Sequence, residues 1–216
     1  MKSISKDFDL KRFVSHNIRE LTLFAILIVI AVLVQVRTGG RFLSSSNLND
    51  LLRETAILMM VSVGMMMVIL TGCIDLSLGS TMGLAGMICA LTLRDHRETP
   101  IIVIVLIALG IGLLAGLLNG FIVAKLRIFP LIGTLGVCDM LRGLVYVFSK
   151  GAWVGQGDMT QEFMSISTGK VFGINNLVFI AILITVMGYI FLQYFRNGRY
   201  MSVSYTHLRA HETGRN

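Results

Sequence analysis

The sequence predicts an all-α protein, a polytopic bundle of about six transmembrane helices. Three observations carry that prediction. Hydrophobic residues make up 55% of the 216, and Asp, Glu, Lys and Arg only 14%, where a soluble domain carries about a quarter. No soluble fold of this size has interior enough to hide so much apolar surface. Five stretches, 21–36, 55–74, 76–93, 99–124 and 171–195, contain no Asp, Glu, Lys, Arg or His. They are too regular in their apolar content for a lipid-facing β-barrel, whose strands alternate apolar and polar residues.

A helix needs about 20 residues to cross the hydrocarbon core, and backbone groups in lipid must pair within their own segment. The first stretch is short, but Arg19, Glu20 and Arg37 flank it and can snorkel to the headgroups. Its long leader holds Asp7, Asp9 and Glu20, unlike a cleaved signal peptide. Phe8, Leu10, Phe13, Val14 and Ile18 of that leader suit either one face of an interfacial helix or a solvated tail. A sixth apolar stretch, Pro130–Ser149, is long enough to span but contains Asp139 and Arg142. Pro130 opens that helix at its first turn. Residues 150–176 read as a polar, Gly-rich outer segment, with Trp153 as an interfacial anchor.

Orientation follows the basic residues. With the amino terminus inside, Lys2, Lys6, Lys11, Arg12, Arg19, Lys125, Arg127, Arg196 and Arg199 are cytoplasmic, and Arg37, Arg41, Arg53, Arg94, Arg97, Lys150 and Lys170 lie outside. The basic cluster ahead of the first span decides the choice. The net charge of +7 then suits anionic lipid rather than nucleic acid, since no basic patch is interleaved with aromatics.

Small residues recur at helical spacing. Gly112, Gly116 and Gly120 form one stripe and Gly79 with Gly83 another, a pattern expected to let helix backbones approach closely. The methionines of 59–67 are expected to pack rather than conduct metal. Cys73, Cys89 and Cys138 fit no zinc or disulfide spacing and are expected as free thiols.

Polar groups within the spans say more. Asp75 stands alone between two apolar runs, flanked by Thr71, Gly72, Ser77 and Gly79. Either it lines a broken helical segment on a polar path, or it caps the next helix from a short turn. Asn119 suits bonding between helices or a pathway wall. Asp139 and Arg142 are three apart, which predicts a structural ion pair on one helix face.

The run Leu70-Thr71-Gly72-Cys73-Ile74-Asp75-Leu76-Ser77-Leu78-Gly79 resembles a signature of ribose-type permeases, the membrane subunits of bacterial ATP-binding-cassette monosaccharide importers. The resemblance continues through Gly116-Leu117-Leu118-Asn119-Gly120, Pro130–Gly136, Arg142-Gly143 and Gly198-Arg199-Tyr200, covering roughly 20–200. Cys73 stands where the family usually has glycine, so a somewhat different turn is expected there.

The resemblance implies a permease that does no chemistry and needs no cofactor. It implies a second permease copy or a paralogue, an ATP-binding subunit and a periplasmic sugar-binding protein as partners, in the cell inner membrane. No G-x-x-x-x-G-K-[ST] phosphate loop occurs in the chain, so ATP binding is expected in the partner. Asp75, Ser77, Asn119 and Thr134 lie on the matching motifs and are assigned to pathway shape or gating.

The domain expectation is a cytoplasmic segment over 1–20, a partial permease domain over 21–200 and a non-native tail over 201–216. Members of that family run on past the G-R-Y motif, so a carboxy-terminal truncation is expected. His207 and His211 in the tail are four apart, but a metal site there is set aside in favour of a spurious tail. The alternative function is an ion-coupled secondary transporter of a small polar solute, which usually needs more intramembrane carboxylates or histidines. An intramembrane enzyme would need a catalytic pair at matched depth, and the flanks of Asp75 and Asp139 are unrelated.

Overall fold

The computed structural model describes residues 18–201; the expected interfacial helix of the leader and the His207/His211 tail lie outside them. The chain divides into two compact units, Met1–Leu51 and Leu52–Asn216. In the described part of the first, α1 (Ile18–Arg37) has no buried residue. Gln35 organises the turn that follows, with Oε1 accepting from Leu43 N at 2.8 Å and Nε2 donating to the Gly40 carbonyl at 3.1 Å. Gly39 and Gly40 both take positive φ there, a backbone that glycine reaches without steric cost. Helix α2 (Ser45–Leu70) begins in this unit and continues into the second.

The second unit is built around α3 (Leu78–Asp95), α4 (Ile101–Gly120) and α5 (Pro130–Ser149). Helix α3 runs antiparallel to α4: Ser77 meets Asn119 at one end, and the Cys89 thiol donates to the Ile104 carbonyl at 3.5 Å towards the other. It runs parallel to α5, with Thr134 beside Leu76 and Cys138 beside Ser80 at one constant offset of 58 residues. The core consequently forms in two layers. Leu84, Ala115, Val137 and Leu141 fill the first, while Cys89, Leu93 and Ile104 fill the second beneath Met159 and Phe163.

Five of the described helices are long and apolar enough to cross a membrane: α1, α2, the Ile101–Lys125 helix, α5 and Asn176–Tyr194. The expected spans at 21–36, 55–74, 99–124, Pro130–Ser149 and 171–195 overlap them, but α2 already ends at Leu70 and the last helix begins only at Asn176. At the remaining one, 76–93, α3 carries Gly79, Ser80, Thr81, Gly83 and Gly86 together with Arg94 and Asp95, which dilute its apolar content. It still runs beside α4 and α5 along its length.

Between α5 and the final span lie a short helix α6 (Gln161–Thr168) and a two-stranded hairpin, β1 (Lys170–Val171) and β2 (Ile174–Asn175). Thr160 Oγ1 caps α6 by accepting from Phe163 N at 3.4 Å. Phe172 and Gly173 both have positive φ, as a two-residue hairpin turn requires. Asn175 then caps α7 (Asn176–Tyr194), its Oδ1 accepting from Leu177 N at 2.9 Å. Trp153 is exposed. All three cysteines are free.

The glycine stripes correct the expectation placed on them. A Cβ added at Gly79, Gly83, Gly112, Gly116 or Gly120 would meet nothing within 4 Å, so no helix of the described chain uses those gaps. Close approach occurs elsewhere. A Cβ on Gly188 would come 2.8 Å from Val63 Cγ1, and one on Gly133 would come 2.7 Å from Ile122 Cγ2. Met67 also closes on Gly188, so at least that member of the methionine cluster packs as expected.

Candidate functional site

The site begins where α2 stops. Gly72 has φ +77°, its N–H bonds the Ile69 carbonyl at 2.9 Å, and Cys73 N–H bonds the Val68 carbonyl at 3.4 Å. This is the two-bond ending in which a glycine takes the left-handed position and satisfies the last carbonyls. Cys73 sits one residue beyond, where no positive φ is demanded. A glycine is therefore dispensable at 73, and the turn accommodates the thiol.

The next residues fold back on themselves. Asp75 Oδ1 accepts from the Ser77 backbone N–H at 2.8 Å and from the Ser77 hydroxyl at 2.7 Å. Such a turn sets the direction in which α3 starts. Ser77 is fully buried, and its carbonyl accepts from both Thr81 N and Thr81 Oγ1.

Two further helices close over this turn. From α4, Asn119 Nδ2 donates to Asp75 Oδ2 at 3.2 Å and to Ser77 Oγ at 2.7 Å. From α5, Thr134 Oγ1 accepts from Leu76 N at 3.2 Å and donates to the Ile74 carbonyl at 3.3 Å. Thr134 thus holds the chain on both sides of Asp75. The four residues expected from sequence, Asp75, Ser77, Asn119 and Thr134, come together in one hydrogen-bonded cluster. Asp75 does not cap α3 itself, whose N-cap is Ser77 without a side-chain cap bond; it holds Ser77 and bonds across to α4.

Local chemistry positions the two closing residues. Asn119 lies at the end of α4, just before the helix widens into a π turn over Phe121–Lys125, with Leu126 N bonding the Phe121 carbonyl at 3.1 Å. Such widened turns concentrate at functional sites. Arg127 then takes φ +56°, and Pro130 at the first turn starts α5 four residues ahead of Thr134. Gly133 lets the π turn press against α5.

Beside the cluster is a cavity of about 400 Å³, lined by Val68, Thr71, Asp75, Asn119, Val123 and Thr134 among others. Asn119 is 8% exposed and its Oδ1 has no hydrogen-bond partner among the described residues. The amide therefore spends both donors on the cluster and leaves its acceptor free. The wall around these polar groups is mostly aliphatic. No group of three or more His, Cys, Asp or Glu among the described residues could hold a metal.

The expected ion pair is corrected. Among the described residues no ion pair joins Asp139 to Arg142, and both side chains are exposed. Spacing of three places them on one face. Nothing among the described residues packs over them to fix their rotamers, so sharing a face does not by itself bring the two groups together.

Comparison with known proteins completes the site. The family described as branched-chain amino acid transport system / permease component matches residues 47–210. A ribose import permease protein of Haemophilus influenzae is 34% identical over 93% of this chain and 61% of its own length. An autoinducer 2 import system permease protein of an Enterobacter species is 33% identical over 79% of this chain and 48% of the relative. A xylose transport system permease protein of Escherichia coli is 33% identical over 74% and 42%. The chain thus spans about half the length of these relatives. No solved structure matches it.

Proposed function

The chain belongs to the branched-chain amino acid transport system / permease component family, and on that premise we propose that it is the membrane-spanning subunit of an ATP-driven importer. The observation that carries this reading is the cluster of Asp75, Ser77, Asn119 and Thr134, which ties the break between α2 and α3 to two neighbouring helices beside a cavity. Transport needs a polar element in lipid that is stable in one state and can exchange partners in another. A helix break held by side-chain hydrogen bonds rather than by continuous backbone bonding has that property.

The proposed cargo is a monosaccharide such as ribose. The family description names amino acids, while the relatives' names point to ribose, xylose and autoinducer 2, so cargo varies within the family. The cluster shapes or gates the path, with Asn119 Oδ1 offered to a passing hydroxyl. Energy would come from an ATP-binding subunit at the cytoplasmic face and cargo from a periplasmic sugar-binding protein. A second permease copy or paralogue would complete the path, in the cell inner membrane. The assignment of 1–20 to a cytoplasmic segment and 21–200 to the permease body is part of the same proposal.

The test is uptake of radiolabelled pentose by cells expressing the full-length gene with its neighbouring ATPase and binding-protein genes. Uptake is expected to stop in ATP-depleted cells and to survive a protonophore. Uptake that the protonophore abolishes while ATP is held constant would favour an ion-coupled secondary transporter instead.

A further inference from the structure

Helix α5 is tied to α3 and the turn before it at two points. At the first, Thr134 Oγ1 accepts from Leu76 N at 3.2 Å and donates to the Ile74 carbonyl at 3.3 Å. At the second, the Ser80 hydroxyl and the Cys138 thiol meet at 2.9 Å, either group able to donate. Cys138 follows Thr134 by four residues and Ser80 follows Leu76 by the same interval, so the two points lie about 6 Å apart along the helix. The cluster around Asp75 includes only the first of them.

Ser80 is 7% exposed and Cys138 5%. Their contact lies inside the packing of α3 against α5, next to the layer of Leu84, Val137 and Leu141, and does not depend on what covers the outer faces of either helix. One hydroxyl does not fix a helix by itself. Sliding α5 by a single residue moves Thr134 by about 1.5 Å, which takes its 3.2 and 3.3 Å bonds out of range. Held only there, α5 could also turn about the contact. A second attachment further along removes both freedoms. Ser80 and Cys138 both have short side chains, so their bond forms only where the two backbones come close. Drawing the helices apart would leave two buried polar groups in search of partners.

We propose that Ser80 and Cys138 are positioning residues for the helix break. Their contact fixes the register of α5 on α3, so that Thr134 reaches the backbone on both sides of Asp75, and it stays closed throughout transport. The proposal rests on the Asp75 cluster serving the transport path.

The test measures initial rates of pentose uptake with the full-length gene and its neighbouring ATPase and binding-protein genes. Cys138→Ala should lower the rate about fivefold, within reach of one lost buried hydrogen bond. Cys138→Ser keeps a partner for Ser80 and should restore a near-native rate. In a Thr134→Val background Cys138→Ala should cost nothing further, because its effect passes through Thr134. A purely structural role would add its loss in both backgrounds. Separately, Ser80→Cys sets a second thiol against native Cys138. Copper phenanthroline should join the two by removing two electrons and two protons, a link read by mass spectrometry and missing from the native chain under the same oxidant. Uptake by the linked protein should match that of the same protein after reduction. Uptake lost on oxidation and regained with reductant would overturn the proposal. So would additive losses at 134 and 138, or the absence of any link, since the two side chains would then not be neighbours. A native chain that takes up no pentose would sink the importer reading instead. The pairing is then decided by the link and by the same overlap of the Thr134→Val and Cys138→Ala losses in the thermal midpoint.

Discussion

Asp75 and Asp139 are two carboxylates in helical membrane segments, and the chain treats them in opposite ways. Asp75 receives three hydrogen bonds from Ser77 and Asn119, and Thr134 clamps the backbone on either side. Asp139 receives none from the described residues and stands exposed beside Arg142. What differs is where compensation comes from. A polar group satisfied internally holds one helix against its neighbours, whereas Asp139 holds nothing among the described residues.

The contrast can be broken at Asp75 first. Asp75→Ala leaves the Ser77 N–H, the Ser77 hydroxyl and the Asn119 amide short of an acceptor. Each buried unsatisfied group costs about 1–3 kcal/mol. This substitution should lower the thermal midpoint in detergent further than any change at Thr134, Gly133, Gly112 or Arg94. Pentose uptake should drop at least tenfold, about 1.4 kcal/mol of lost transition-state stabilisation. A smaller effect belongs to Thr134→Val, which keeps the shape but removes both clamps on the chain around Asp75. It should cost about 1–2 kcal/mol, read by the same melt, with the protein still inserted in the membrane.

Glycines sharpen the comparison between used and unused surfaces. Gly133→Ala forces a methyl towards Ile122 and should destabilise by about 1 kcal/mol or more. Gly112→Ala meets nothing and should be neutral or stabilising by up to about 1 kcal/mol, the helix-propensity difference. Equal losses at the two sites would mean that the Gly112 stripe is packed after all. The smallest effect is expected at Asp95, at the end of α3. Its carboxyl sits below the ordinary carboxylate range because Arg94 donates to it at 2.8 Å. A lowered value stabilises above the unfolded carboxylate's titration and is lost as pH falls through the folded one. Both side chains are solvent-exposed, so Arg94→Gln should leave the melting profile between neutral and mildly acidic pH unchanged.

Much of this organisation was legible in the sequence, and the failures have a common cause. Charge-free stretches locate the spanning helices because lipid tolerates little else, and Gly72 announces the end of α2 through its freedom at positive φ. The motif residues Asp75, Ser77, Asn119 and Thr134 were readable as a set, but not their mutual bonding, since Asn119 lies 44 residues from Asp75 and no local rule joins them. Asp139 with Arg142, and the glycine stripes, misled for one reason. Periodicity tells which residues share a face and is silent on whether anything in the same chain covers it. The short helix α6 and the β1–β2 hairpin escaped because they fall in a polar segment without periodicity. Thr160 three residues ahead of Phe163 and the Phe172-Gly173 pair were the available signals.

The central claim is that Asp75 and Asn119 act as parts of one unit holding the helix break. A double-mutant cycle tests it most directly, comparing the stability in detergent of Asp75→Ala, Asn119→Ala and the pair together. The two losses should overlap, the double variant falling short of their sum by about 0.5–3 kcal/mol. Strictly additive losses would contradict the account.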